Sequence, residues 1–150
     1  MSIDINAPIV PFEGMGGIKL YAKLEDLNDI LSQEGVIMKK MHPWIRFQIR
    51  DAMYFFFHKK NGKLFKMTTL DGYKGKLWDK IGTDTVEKTL LSLDDSFVWD
   101  DWEEVWQSLK GVIIEGYDAL LSHNFSEQRK LRIHNRFSHL RYEVIVENFV

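Results

Sequence analysis

Six carboxylates fall within the eleven residues from Asp94 to Glu104, and no basic side chain lies among them. At that density Asp94, Asp95, Asp100, Asp101, Glu103 and Glu104 repel one another, so a cation or basic partner that neutralised them would bind favourably. Calcium prefers such oxygens, but the Asp94-Asp95 and Asp100-Asp101 pairs lack the alternate-position spacing and central glycine of the twelve-residue calcium loop. No metal is expected. Trp99 and Trp102 interleave with the acids, and Trp106 follows. Tryptophan is enriched among residues that dominate binding energy, and opposite potentials accelerate encounter. Asp94, Asp95, Trp99, Asp100, Asp101, Trp102, Glu103 and Glu104 therefore form the candidate docking surface for a basic protein. The plainer reading is a solvated loop and strand edge facing the basic hairpin of residues 59–66.

Residues with catalytic chemistry are scattered. His123, His134 and His139 lie far along the chain from His58, and none shows the i, i+4 pairing with an intervening Glu of a zinc protease helix. No serine sits in a glycine-flanked elbow, and no glycine loop ends in Lys-Ser or Lys-Thr. Gly14-Met15-Gly16-Gly17 precedes a strand where a dinucleotide-binding loop should follow one. A composite site from His134, Glu143 and Arg132 is the alternative that would make the chain an enzyme. No catalytic residue and no cofactor is assigned.

The formal net charge of −2 over 150 residues conceals a polar division. Residues 39–80 hold eleven basic side chains against Asp51, Asp71 and Asp79, a local charge of +8. Residues 84–118 invert this, with ten acids against Lys88 and Lys110, a local charge of −8. The basic region could bind nucleic acid, with Trp44, Tyr54, Phe56, Phe65 or Tyr73 stacking on bases. Alternation argues against it: Lys63 and Phe65 fall on one side of the hairpin, Leu64 and Lys66 on the other, so charge is not confined to one face.

These residues need a scaffold, and the composition, 45% apolar and 28% charged, is that of a folded chain. No glycine- or proline-rich linker divides it, which predicts a single domain over residues 1–150. Zero cysteines exclude a disulfide framework and a thiolate nucleophile, and suit a reducing compartment. The longest apolar run, Ala52 to Phe57, is far short of the roughly 18 residues of a membrane span. No secretory signal is expected either, because Asp4 and Asn6 interrupt the apolar start.

The local patterns read as follows. Ile18 to Tyr21 suits a short strand, and Leu24, Leu27, Ile30 and Leu31 share a helical face that ends at Gly35. Trp44 to Ile49 nearly alternates, and the run Met53 to Phe57 suits a strand buried on both faces. Asn61-Gly62 predicts a two-residue hairpin closure between Phe55–Lys60 and Lys63–Leu70. Asp84-x-x-Glu87 resembles a capping box and predicts a second short helix to about Leu91. Trp99 to Leu109 fits either a helical stripe or a hairpin; β-branched and indole side chains favour the hairpin, with Val105–Gln107 and Val112–Ile114 flanking Lys110-Gly111. Residues 118–130 read as a polar excursion, and Tyr142 to Glu147 as a strand pairing with Leu131–Phe137. The sum is α+β: a largely antiparallel sheet with two short helices packed on one side.

At Gly17-Ile18-Lys19-Leu20, Leu24-Glu25-Asp26-Leu27, Ile30-Leu31, Gly62-Lys63-Leu64-Phe65-Lys66 and Glu103-Glu104-Val105 through Lys110-Gly111-Val112, the chain resembles small bacterial α+β proteins encoded beside polymorphic or contact-dependent growth inhibition toxins. The resemblance spans residues 14–117 and rests on glycines and apolar positions, although Lys23 stands where a hydroxyl residue would cap the first helix. It implies an immunity protein: a cytoplasmic inhibitor that is not an enzyme and that masks a cognate toxin domain, a nuclease with a basic cleft. Partner identity does not follow from a scaffold.

Overall fold

The computed structural model describes residues 2–85, 89–103 and 105–114 in full, and the backbone of 115 and 130–134. Among these residues the chain builds an eight-stranded, wholly antiparallel sheet, a separate two-stranded hairpin and short helical turns, an α+β architecture. The small hairpin pairs β1 (Gly14–Met15) with β2 (Ile18–Lys19). A 3₁₀ turn (Leu24–Leu27) then runs into α1 (Asn28–Leu31), so the predicted helix exists but is split. No side chain caps either turn, in keeping with Lys23 at the capping position.

Two four-stranded meanders make the large sheet. The first comprises β3 (Val36–Met41), β4 (Trp44–Ile49), β5 (Met53–His58) and β6 (Leu64–Thr69). The second comprises β7 (Phe97–Asp100), β8 (Val105–Ser108), β9 (Val112–Glu115) and β10 (Lys130–His134). They join between their last strands, giving the order β3-β4-β5-β6-β10-β9-β8-β7. The β10 backbone has a neighbour on either side, with Arg132 opposite both Thr68 of β6 and Ile113 of β9. The expected pairing of Leu131–Phe137 with Tyr142–Glu147 is thus overturned where β10 is described, because both of its edges are taken. Residues 118–129 and 142–147 themselves lie outside the described residues.

Alternation assigns one face of the sheet to the core. Phe47, Ile49, Met53, Phe55, Phe57, Leu64 and Met67 share a buried cluster with Leu27, Ile30, Leu31 and Leu90, so the helical turns pack on that face. Phe47 and Phe57 meet edge to face at 5.7 Å, the geometry that ring quadrupoles favour. The hairpin after β5 is wider than its Asn61-Gly62 signal implies. His58 N–H donates to the Lys63 carbonyl and Gly62 N–H to the His58 carbonyl, enclosing residues 59–62 in a four-residue loop. Gly62 alone adopts positive φ, at 68°, while the Asn61 side chain accepts from Lys63 N–H. The predicted 105–107/112–114 hairpin is present as β8 and β9, turning at Gly111 with φ 98°, where a Cβ would meet the Phe12 ring at 2.7 Å. Of the second predicted helix, α2 covers Leu90–Leu93, past the expected end at about Leu91, and residues 86–88, Glu87 of the capping pattern among them, lie outside the described residues.

Between β6 and the far strand β7, the described residues of the 70–96 crossing, 70–85 and 89–96, bury Tyr73, Leu77, Ile81 and Leu90 in the core. Tyr73 ties this crossing to the leader. Its hydroxyl donates to the Ala7 carbonyl and accepts from Gly16 N–H at 2.7 Å, with the side chain 1% exposed. Burial pushes its phenol up to about 12, so it stays protonated at neutral pH. No helix among the described residues is long and apolar enough to cross a membrane. Replacing Tyr73 by Phe leaves the Gly16 donor and the Ala7 acceptor unpaired in the interior. The expected cost is about 1–3 kcal/mol, read as a lower midpoint in denaturant unfolding.

Candidate functional site

The acidic segment lies on the second meander, from the residues before β7 through the turn into β8. β7 and β8 pair Phe97 with Ser108, Trp99 with Trp106 and Asp100 with Val105, so the acids of residues 101–103 occupy the hairpin turn at the outer end of the sheet. That placement divides the seven described candidate residues into two groups.

Three of them are used by the fold. Asp94 has an 8% exposed side chain and is ion-paired at 2.9 Å with Lys110, the one ion pair among the described residues. Its other oxygen accepts from Ser96 N–H at 2.9 Å. The Ser96 hydroxyl and N–H, together with the Lys110 ammonium, outweigh burial and hold the Asp94 carboxyl at about 2. Lys110 also lies 4.8 Å from the Trp78 ring centroid, which ties β8's exit to the 70–96 crossing. Asp100 closes the turn. One oxygen accepts from the N–H groups of Trp102 at 2.9 Å and Glu103 at 3.0 Å, and the other accepts from Gln107 Nε2 at 2.6 Å. Trp99 packs against Trp106 across the strands, with centroids 5.3 Å apart, and donates its indole N–H to Asp101 at 2.7 Å.

The remainder faces water. Asp95, Asp101, Trp102 and Glu103 are all exposed, Trp102 at 91%. None of their carboxylates has a basic partner among the described residues. The basic hairpin of residues 59–66 is not paired with them in the sheet; it sits between β5 and β6, separated from β7 by three strands. Glu104 lies outside the described residues. Two exposed apolar side chains on the same hairpin were not read from sequence: Val98 at 68% on the outer face of β7, and Leu109 at 70% in the β8–β9 turn, at the end of β8 away from Trp102. The Leu109-Lys110-Gly111 turn was the available signal for Leu109. For Val98, alternation from Phe97 and Trp99 was the signal. Asp100 and Asp94 could have been set apart as well, because an Asp two or three residues ahead of free N–H groups commonly caps a turn.

Tyr73, the fifth candidate for base stacking, is buried in the core, whereas the opposite face of the first meander carries Arg46 and Lys66 with Trp44, Tyr54, Phe56 and Phe65. There the structure corrects the alternation reading. A bulge opposite Phe57 pairs Phe56 with Lys66 and Phe57 with Leu64, so Phe65 is an extra residue and shares the outer face with Lys66. Phe65 accordingly contacts Trp44 at 5.9 Å and Phe56 at 6.4 Å. Charge and aromatics are therefore on one face, yet the rings are already occupied. The Lys66 ammonium lies 4.0 Å from the Phe56 centroid and the Arg46 guanidinium 4.4 Å from that of Tyr54, leaving Phe56 and Phe65 buried. A base would have to displace the cations before stacking there. His58 is also buried beneath this layer. Burial first and Lys60 second push its imidazole below the ordinary range, and its Nδ1 accepts from Lys60 N–H, so it is a neutral structural group at pH 7. Among the described residues no group of three or more His, Asp or Glu could hold a metal ion.

Comparison with protein-family models, with curated proteins and with solved structures finds no match to this chain.

The depressed Asp94 carboxyl sets a pH test. Its folded value lies below the ordinary 3.8, so its contribution to stability is complete above the unfolded value and is lost as pH falls through about 2. Asp94→Asn is expected to be less stable than the parent near neutrality, with the gap closing between about pH 4 and pH 2 in denaturant melts.

Proposed function

We propose that this protein is an immunity-type inhibitor: it binds a basic toxin domain through the β7–β8 hairpin and masks the toxin's active or substrate-binding surface. The toxin is a nuclease whose cleft ordinarily receives a polyanion, and the inhibitor acts in the bacterial cytoplasm without performing chemistry of its own. What supports this reading most is that Asp101 and Glu103, beside the 91% exposed Trp102, and Asp95 at the other end of β7 have no cation among the described residues. Asp94 has a cation beside it and Asp100 three N–H donors, whereas among the described residues these three have no cation, Asp101 holding only the Trp99 indole N–H. An exposed indole within a rim of like charge has the anatomy of an interface anchor. The acids would speed encounter with a basic cleft, and Trp102 with Val98 and Leu109 would supply apolar contact. A specific complex buries about 1,600 Å² in total, so neighbouring segments join the contact.

The test is co-expression with the C-terminal domain of the protein encoded immediately upstream. Stoichiometric capture and protection of the host are expected. Trp102→Ala should weaken the complex about 30-fold, the size of a hot-spot truncation. The triple reversal Asp95→Lys, Asp101→Lys, Glu103→Lys should abolish it while leaving the unfolding midpoint within experimental error. Undiminished capture by the folded triple variant would discard this surface.

A further inference from the structure

The eight-stranded sheet ends in two strands that each have a single neighbour among the described residues: β3 beside β4, and β7 beside β8. Such edges expose unpaired backbone donors and acceptors that can template another strand. β3 is open to an unusual degree. Its residues Ile37, Met38, Lys39 and Lys40 are all exposed, Ile37 at 63% and Met38 at 51%, and neighbouring residues of a strand point to opposite faces. From Ile37 to Lys40 neither face of this strand is covered by the described residues, and two adjacent apolar side chains stand exposed beside two lysines. At the other end, β7 exposes Val98 at 68% and is flanked by Asp95, Asp101 and Glu103.

We propose that free copies of this chain associate head to tail, β3 of one copy adding to the outer edge of β7 of the next. Charge selects that pairing over the alternatives. Two β3 edges would bring four ammonium groups together, and two β7 edges would crowd carboxylates, so both like-edge contacts are repulsive. The unlike contact brings Lys39 and Lys40 to the acids that flank β7, and whichever of Ile37 and Met38 shares the outer face with Val98 covers it. The lysines that keep β3 from its own kind thereby direct it to the acidic edge. A four-residue β7 limits the paired length, so the contact is small and weak. It is also heterologous: each added copy leaves a fresh β3 and a fresh β7 exposed, and growth does not stop at two. The association occupies the same hairpin assigned to the toxin, so toxin and second copy compete for it.

Sedimentation of the full chain tests this without any partner. At low salt the mean mass should rise past two chains between about 10 μM and 1 mM, and return to one chain when about 0.5 M salt screens the contact. Lys39→Glu/Lys40→Glu and Asp95→Lys/Asp101→Lys should each remain monomeric alone, and mixing the two should restore growth beyond two chains. A parent that stays monomeric throughout, a dimer that does not grow, or association unchanged in Lys39→Glu/Lys40→Glu would overturn the proposal. The lysine variant keeps its acidic hairpin intact, so its capture of the upstream toxin domain reports on the inhibitor reading independently.

Discussion

A carboxylate taken out of water must find donors at once, and that constraint organises the acidic meander. Asp94 meets it with Ser96 and Lys110, and Asp100 with two turn N–H groups and Gln107. Leaving either carboxylate desolvated and unpaired would cost more than the hairpin gains from its short ladder. Once these two are satisfied, the path of the chain from β7 to β8 is set and the other acids have nowhere to go but outward. The exposed charge is therefore a consequence of how Asp94 and the half-buried Asp100 are matched, and these two acids do the positioning for the others.

The two faces of the sheet solve a related problem differently. The core face buries aliphatic and phenyl groups beneath the helical turns and the 70–96 crossing. The outer face of the first meander lays the aliphatic stems and charged heads of Arg46 and Lys66 across its own rings. Long cations shield apolar surface while keeping their heads wet, and the ring quadrupole adds a modest attraction. Basic charge is thus absorbed into packing near β4 to β6, whereas acidic charge at β7 is not. This asymmetry, rather than the near-zero net charge, is what distinguishes the two ends of the sheet.

Much of the scaffold was legible because its signals are local. The Met53–Phe57 run reads as a central strand, Lys110-Gly111 as a turn, and Leu24 to Leu31 as a helical face, each from contacts within a few residues. The bulge at Phe65 was not, since strict alternation carries no mark for an inserted residue, and one insertion moved Lys66 to the face opposite the one expected. The neighbours of β10 were equally hidden: Thr68 and Arg132 meet across a separation that no periodicity encodes. The acidic segment itself was conspicuous, but its sorting was not. Counting charges treated Asp94 and Asp100 as equals of Asp95 and Asp101, and only their position ahead of unpaired N–H groups distinguished them.

The seam at β10 has a temporal meaning. During synthesis the first meander emerges with its own core partners and can collapse early, but β6 keeps an open flank until residues 130–134 leave the ribosome. The second meander emerges in the interval with β9 equally uncovered. Two aggregation-prone ladders therefore coexist on the nascent polypeptide, and a late-arriving segment of five residues converts them into neighbours.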